Sequence, residues 1–200
     1  MRFKFSREEL PQIARLIKRG KVGCLPTDTL YGLVGSALIP EAVEKAYRLK
    51  RRDPNKPLIV LFSSLKEAEE FGVEPKRGLE KLVPGTVTLI LPLKESSPLR
   101  ATFKRDDLAI RIPDFPLLRE LLTLTGPLFA PSANPQGLRP AGNCRDCFNY
   151  FGEELDFCVE GQPKENRPST LVKLTGSEPE LLRPGAVDFE KVKEALSGKT

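Results

Sequence analysis

Val22-Gly-Cys-Leu-Pro-Thr-Asp-Thr-Leu-Tyr-Gly-Leu33 opens with a short apolar run and turns abruptly polar after Pro26. Val22 to Leu25 reads as a buried strand. The segment after it places two hydroxyls, a carboxylate and a phenol at the strand's carboxyl end, where open α/β sheets collect their ligands. Just upstream, Leu10, Ile13, Ala14 and Ile17 form one apolar helical face that stops at Gly20, and Ser6 with Glu9 predicts a capping box at its start. Downstream, Ala42, Val43, Ala46 and Tyr47 mark the inward side of a second helix over about Glu41 to Leu49, and Leu58 to Phe62 is a wholly apolar strand. Helix, strand, helix, strand in this order points to helices packed on a sheet rather than to a bundle or an all-β sandwich.

The same alternation continues to the end of the chain. Ser64 with Glu67 predicts the cap of a third helix, and strands are expected at Val87 to Leu91 and Leu108 to Arg111. A helix from Phe115 to Leu124, a strand at Leu128 to Ala130, a helix near Arg145 to Phe151 and a last helix from Phe189 to Leu196 follow. Neither a repeat nor a linker interrupts the pattern, so residues 1–200 read as one domain.

Composition narrows the chemistry. Histidine is absent, which removes Ser-His-Asp and Cys-His catalysis and any His-ligated metal. The longest apolar run, Leu58 to Phe62, is far short of the roughly 18 residues that span a bilayer, so no membrane association is expected. Charges break up the first ten residues, so the N-terminus does not resemble a secretion signal and a cytoplasmic location is expected. A net charge of +5 favours anionic ligands. One Met, 19 Pro and plentiful Lys and Glu lean towards a heat-stable protein. Cys144 and Cys147 form a single C-x-x-C, with Cys24 and Cys158 unmatched. That spacing does not make a zinc site, so inert thiols are expected, with a Cys144–Cys147 redox pair as the lesser alternative.

Beyond the first polar turn, several segments carry basic or polar groups next to expected strand ends. Lys50-Arg-Arg-Asp-Pro-Asn-Lys-Pro57 ends a helix, where cations are favoured in any case. Pro84-Gly-Thr-Val-Thr-Leu-Ile-Leu91 reads as a turn feeding a core strand. Asp107-Leu-Ala-Ile-Arg-Ile-Pro113 sets Arg111 inside an apolar strand, and a guanidinium there needs an anion or an edge. Ala130-Pro-Ser-Ala-Asn134, Pro168-Ser-Thr170 and Arg183-Pro-Gly185 read equally well as tight turns or as ligand loops. Neither G-x-x-x-x-G-K-[ST] nor G-x-G-x-x-G occurs, so any nucleotide must be held by dispersed Arg and Lys.

Taken in order, PTDTLYGL, K-x-R before a Lys-Pro-Leu strand, PGTVTLIL, LAIRIP, APSAN, PST and RPG resemble the YrdC/Sua5 family from about Val22 to Gly185. The resemblance implies a YrdC-like α/β fold, a twisted open mixed sheet flanked by helices with a concave basic cleft. It implies L-threonylcarbamoyladenylate synthase activity: L-threonine, bicarbonate and ATP give threonylcarbamoyl-AMP and pyrophosphate, the first step of tRNA t6A modification.

By the same resemblance Thr29, Arg111, Ala130 and Ser169 would contact threonine. Lys50, Arg52, Lys56, Ser132, Pro140 and Arg183 would bind ATP, with Lys50, Arg52, Ser132 and Asn134 closest to the chemistry. Mg2+ would arrive on the ATP phosphates, with no metal ligand from the protein, and tRNA-modification proteins would take up the product. Lys50-Arg-Arg replaces the family's commoner Lys-Gly-Arg, Val83 stands where Trp often precedes Pro-Gly, and Asp107 stands where Thr or Ser is common. Two other readings compete: an RNA-binding YrdC-like protein without turnover, and a carbamoyl-transfer domain like that of hydrogenase maturation proteins.

Overall fold

Ten short strands form one mixed sheet in the computed structural model, which describes residues 1–197. In chain order the elements are β1 (Arg2–Lys4), α1 (Leu10–Lys18), β2 (Gly23–Pro26), β3 (Tyr31–Ser36), α2 (Pro40–Lys50), β4 (Ile59–Leu61), α3 (Leu65–Glu70), β5 (Val87–Pro92) and α4 (Pro98–Phe103). They continue with β6 (Asp107–Arg111), α5 (Pro116–Thr125), β7 (Leu128–Phe129), α6 (Cys144–Phe151), β8 (Phe157–Glu160), β9 (Thr170–Lys173), β10 (Glu180–Arg183) and α7 (Phe189–Ser197). Across the sheet the strands run β1-β8-β2-β3-β7-β4-β6-β5-β9-β10. Parallel pairs such as β4 with β6 occur together with antiparallel ones such as β2 with β3.

Strand alternation builds two cores, one on each face. Cys24, Leu33 and Val60 pack with α2, α4 and α6 on one side, while their neighbours Leu25, Val34 and Leu61 pack with α1 and α5 on the other. Covering both faces is what lets β3 and most of β5 be buried along their length, and it explains why the strands read as continuous apolar runs. Along β6, Leu108 and Ile110 enter the first core, which turns Ala109 and Arg111 to the opposite face.

Several local expectations are corrected. Ser6 and Glu9 do not form a capping box: α1 starts at Leu10 with a proline in its first turn, and the Glu9 carboxylate instead accepts the Lys4 N–H at 2.6 Å. Ser64 does cap α3, accepting the Glu67 N–H at 3.1 Å. The strands β1, β3, β8, β9 and β10 and the helix α4 carry no periodic signal long enough to have been expected. Neither the Cys144–Cys147 pair nor four inert thiols is present. Cys144 on α6 is bonded to Cys158 on β8, and Cys24 and Cys147 are the free, buried cysteines. α6 lies against β8 and brings the Cys144 and Cys158 Cα atoms to 5.8 Å, so a helix–strand contact decides the pairing.

Candidate active site

The hairpin β2–β3 closes over Thr27-Asp-Thr-Leu30. Thr27 N–H bonds to Leu30 O at 3.1 Å, and Thr27 Oγ1 accepts the N–H groups of Thr29 and Leu30 at 3.1 and 3.2 Å. This side-chain turn fixes Thr29, whose hydroxyl lies 3.2 Å from that of Thr27. The next residue, Tyr31, is fully buried and donates its phenol hydrogen to the carbonyls of Val159 and Gly161 at 3.0 and 3.1 Å. Burial pushes its pKa up to about 12, so it remains a donor. Through Tyr31, and through Lys164 and Glu165 N–H bonds to Thr27 and Asp28 carbonyls, the hairpin tip holds the segment that follows β8.

Two hollows meet at this tip. The smaller, of about 50 Å3, is lined by Thr27, Thr29, Arg111, Ala130, Ser132, Ser169 and Arg183 among others. The larger, of about 530 Å3, runs between Arg139 to Gly142 on one side and Gln162 to Pro168 on the other. Leu30, Ser132, Pro168 and Arg183 belong to both. Neither lining contains a carboxylate, and no cluster of three or more Asp, Glu or Cys that would hold a metal exists among the described residues. A hollow of about 450 Å3 beside α7, lined by Lys76, Leu174 and Lys193 among others, shares no residue with these two.

The four residues matched to threonine all line the small hollow, and Ser132, Pro140 and Arg183, matched to ATP, all line the large one. Arg111 is 3% exposed, with Nη2 3.0 Å from Oδ1 of the fully buried Asp28 and Nη1 3.4 Å from Ser169 Oγ. The anion that a strand arginine requires is therefore supplied by the chain itself, from the tip of the β2–β3 hairpin. Ser169 Oγ also meets Thr88 Oγ1 at 2.7 Å and accepts from Arg183 Nη2 at 3.2 Å. Arg183 adds a bond to Ser169 O at 2.9 Å. Burial, then Arg111 and Arg52, holds the Arg183 pKa below its ordinary value, the signature of converging cations. Gly185 permits the contact between these two turns, because a Cβ there would lie 2.4 Å from Ser169 C and Thr170 N.

Lys50, Arg52, Lys56 and Asn134 stand outside both linings. Lys50 is 2% exposed and turns inward: its Nζ donates to the carbonyl oxygens of Ser132 and Asn134 and lies 3.5 Å from Asn134 Oδ1. Burial, reinforced by Arg52, lowers its pKa to about 8. Asn134 donates Nδ2 to Pro135 O and Leu138 O at 3.1 and 2.8 Å, so this pair shapes the loop that carries Ser132. Arg52 is half-buried and bonds to the Lys56 and Pro57 carbonyls at 3.3 and 3.1 Å, and Lys56 is exposed. Sequence reasoning gave no role to Asp28 or to the wall from Gln162 to Pro168. The wall's only signal was its polar, proline-bounded composition ahead of PST.

The Sua5_yciO_yrdC family model, described as telomere recombination, matches residues 15–185. A Pseudomonas aeruginosa protein named threonylcarbamoyl-AMP synthase is 35% identical over 179 residues, covering 86% of this chain and 94% of its own. A Bacillus subtilis protein of the same name is 34% identical over 198 residues, 95% of this chain and 57% of its own. The crystal structure of P. abyssi Sua5 with L-threonine superposes with a TM-score of 0.86 at 30% identity, covering 98% of this chain and 59% of that one. This chain thus spans a little over half of the two longer proteins and nearly all of the P. aeruginosa one. With the same fold and a family match over most of its length, this chain belongs to the Sua5/YciO/YrdC family.

Proposed function

We propose that the protein is an L-threonylcarbamoyladenylate synthase, a nucleotidyltransferase that joins L-threonine, bicarbonate and ATP and releases pyrophosphate. The observation that carries this reading is the pair of adjoining hollows sharing Ser132 and Arg183, one lined by Thr29, Arg111, Ala130 and Ser169 and the other, of about 530 Å3, large enough for a nucleotide. The names of the relatives and the threonine complex of P. abyssi Sua5 support it.

Threonine sits in the small hollow with its carboxylate at Arg111 and its polar groups near Thr29 and Ser169, and Ala130 bounds the methyl group. ATP lies in the large hollow along Pro140, its phosphates turned towards Arg183 and Arg52, with Lys56 at the outer rim. The threonine amine and bicarbonate give a carbamate and water. A carbamate oxygen then attacks the α-phosphorus in line, and the α–β bridging oxygen leaves with pyrophosphate. The protein supplies position and positive charge, the usual contribution to phosphoryl chemistry. Mg2+ enters as part of the MgATP substrate, since the linings offer cations and neutral groups rather than carboxylates. With this reading go a cytoplasmic location and tRNA-modification proteins that consume the adenylate.

Pyrophosphate release from ATP and bicarbonate, measured with and without L-threonine, tests the reading. Threonine-dependent release is expected, with serine used less efficiently by about 10- to 100-fold for the missing methyl. Salt-dependent RNA binding without such release would instead make the protein an RNA-binding member of the family.

A further inference from the structure

The carboxylate in the Pro26-Thr-Asp-Thr turn has no part in the reaction just described, yet it is the most deeply buried charge beside it. Asp28 is 0% exposed and 3.0 Å from Arg111 Nη2. Both of its carboxylate oxygens, and Arg111 Nε, lack a hydrogen-bond partner. The pair is therefore held by charge and packing, without the donor alignment of a fork. Asp28 does not line either hollow, so it acts on a ligand only through Arg111.

Its charge matters because of what surrounds it. Arg111, Arg183 and Arg52 interact electrostatically, and Lys50 lies next to Arg52. Without an internal anion the two hollows would form one continuous cationic trough, and a polyphosphate would be drawn to both ends. Asp28 neutralises the Arg111 end only. Arg183, which donates to Ser169 oxygens, keeps its full charge for the nucleotide end.

We propose that Asp28 is a positioning and specificity residue that divides the cleft into two anion sites, steering polyphosphate away from Arg111 and leaving that arginine for a carboxylate carried by a zwitterion. An amino acid adds no net charge to the paired site, whereas a polyphosphate would bring several negative charges next to a buried carboxylate. Like-charge juxtaposition of that kind is a strong source of discrimination.

The inference rests on reading the small hollow as the amino-acid site, and calorimetric titration with L-threonine and inorganic pyrophosphate tests it apart from turnover. Pyrophosphate competes with ATP and not with threonine in the unmodified protein. In Asp28→Asn, pyrophosphate becomes a competitor of threonine, and ATP affinity stays within about threefold. Asp28→Glu restores the exclusion of pyrophosphate. Should Asp28→Asn fail to fold, Arg111→Gln compared with the Asp28→Asn/Arg111→Gln double variant reads the same charge. The lone carboxylate of Arg111→Gln repels ligand carboxylates, so the double variant binds threonine more tightly than the single one.

Equal threonine affinity in those two variants, no competition between pyrophosphate and threonine in Asp28→Asn, or such competition already in the unmodified protein would overturn the proposal. A protein that binds threonine but forms no adenylate removes the synthase reading and leaves this inference standing. One that binds no threonine overturns both.

Discussion

Lys50 and Arg111 are both buried cations, and their surroundings give them different work. Lys50 spends its ammonium hydrogens on the Ser132 and Asn134 oxygens, so losing a proton removes a tie from the loop that carries Ser132. With its pKa lowered to about 8, activity should fall along an alkaline limb near pH 8, and Lys50→Arg should move that limb to higher pH; pyrophosphate release at saturating substrates measures both. Stability should change in the opposite sense. A folded pKa below the ordinary 10.5 means that the unfolded chain binds more protons between about pH 8 and 10.5, so the contribution of this group to stability rises across that window. An activity loss that tracked unfolding in denaturant melts would contradict this assignment. Arg111→Ala should weaken threonine binding about 10- to 100-fold and ATP binding far less, because Arg111 lines the small hollow alone. Equal losses in calorimetry would reject that division. Arg111 stood out in the sequence because an apolar strand flanks it, but its partner Asp28 did not, since nothing local ties a hairpin tip to the end of a distant strand.

Among the elements, the end of α2 holds a non-glycine residue in a conformation that favours glycine. Arg51 occupies the left-handed region at φ 49° and ψ 42°, a conformation that glycine adopts without steric cost. Arg51→Gly should therefore stabilise the protein by about 1 kcal/mol in urea denaturation, with Lys50 and Arg52 left in place. The turn at Gly185 predicts the reverse. Gly185→Ala forces a methyl group against the Ser169–Thr170 backbone, and both threonine and ATP affinity should fall because Ser169 and Arg183 move together. A variant with unchanged affinities would show that the two turns are not coupled. The long helices and apolar strands were legible because amphipathic period and burial on two faces leave a strong trace in sequence. Strands such as β1, β9 and β10 leave almost none: their place is set by pairing with distant partners, and β10 is largely exposed. Ser64 and Ser6 open similar patterns, yet only Ser64 caps a helix, because Pro11 and the bond from Lys4 to Glu9 give α1 a different start.

For the whole molecule, the disulfide and the divided cleft belong to one arrangement. Cys144 follows the Arg139 to Gly142 wall by two residues, and Cys158 precedes the Gln162 to Pro168 wall by four, so their bond links the two sides of the large hollow. Spacing alone does not reveal such a pairing, which depends on α6 lying against β8. Alkylation under denaturing conditions should label Cys24 and Cys147 before reduction and all four cysteines after it, as read by intact mass. Replacing Cys144 and Cys158 by serine should cost about 3 kcal/mol, the scale for closing a loop of this length. Such a bond is unusual for a cytoplasmic protein except in organisms of high growth temperature. At this scale the family fold was readable from seven motifs in order, whereas the route by which they converge is a property of the ten-stranded sheet. The central claim is that a threonine site and a nucleotide site meet so that a carbamate forms between them. Its most direct test is mass spectrometry of the product made from 13C-bicarbonate, L-threonine and ATP. The account predicts an adenylate that carries threonine and one 13C atom, and an unlabelled threonyl adenylate, or no adduct at all, would contradict it.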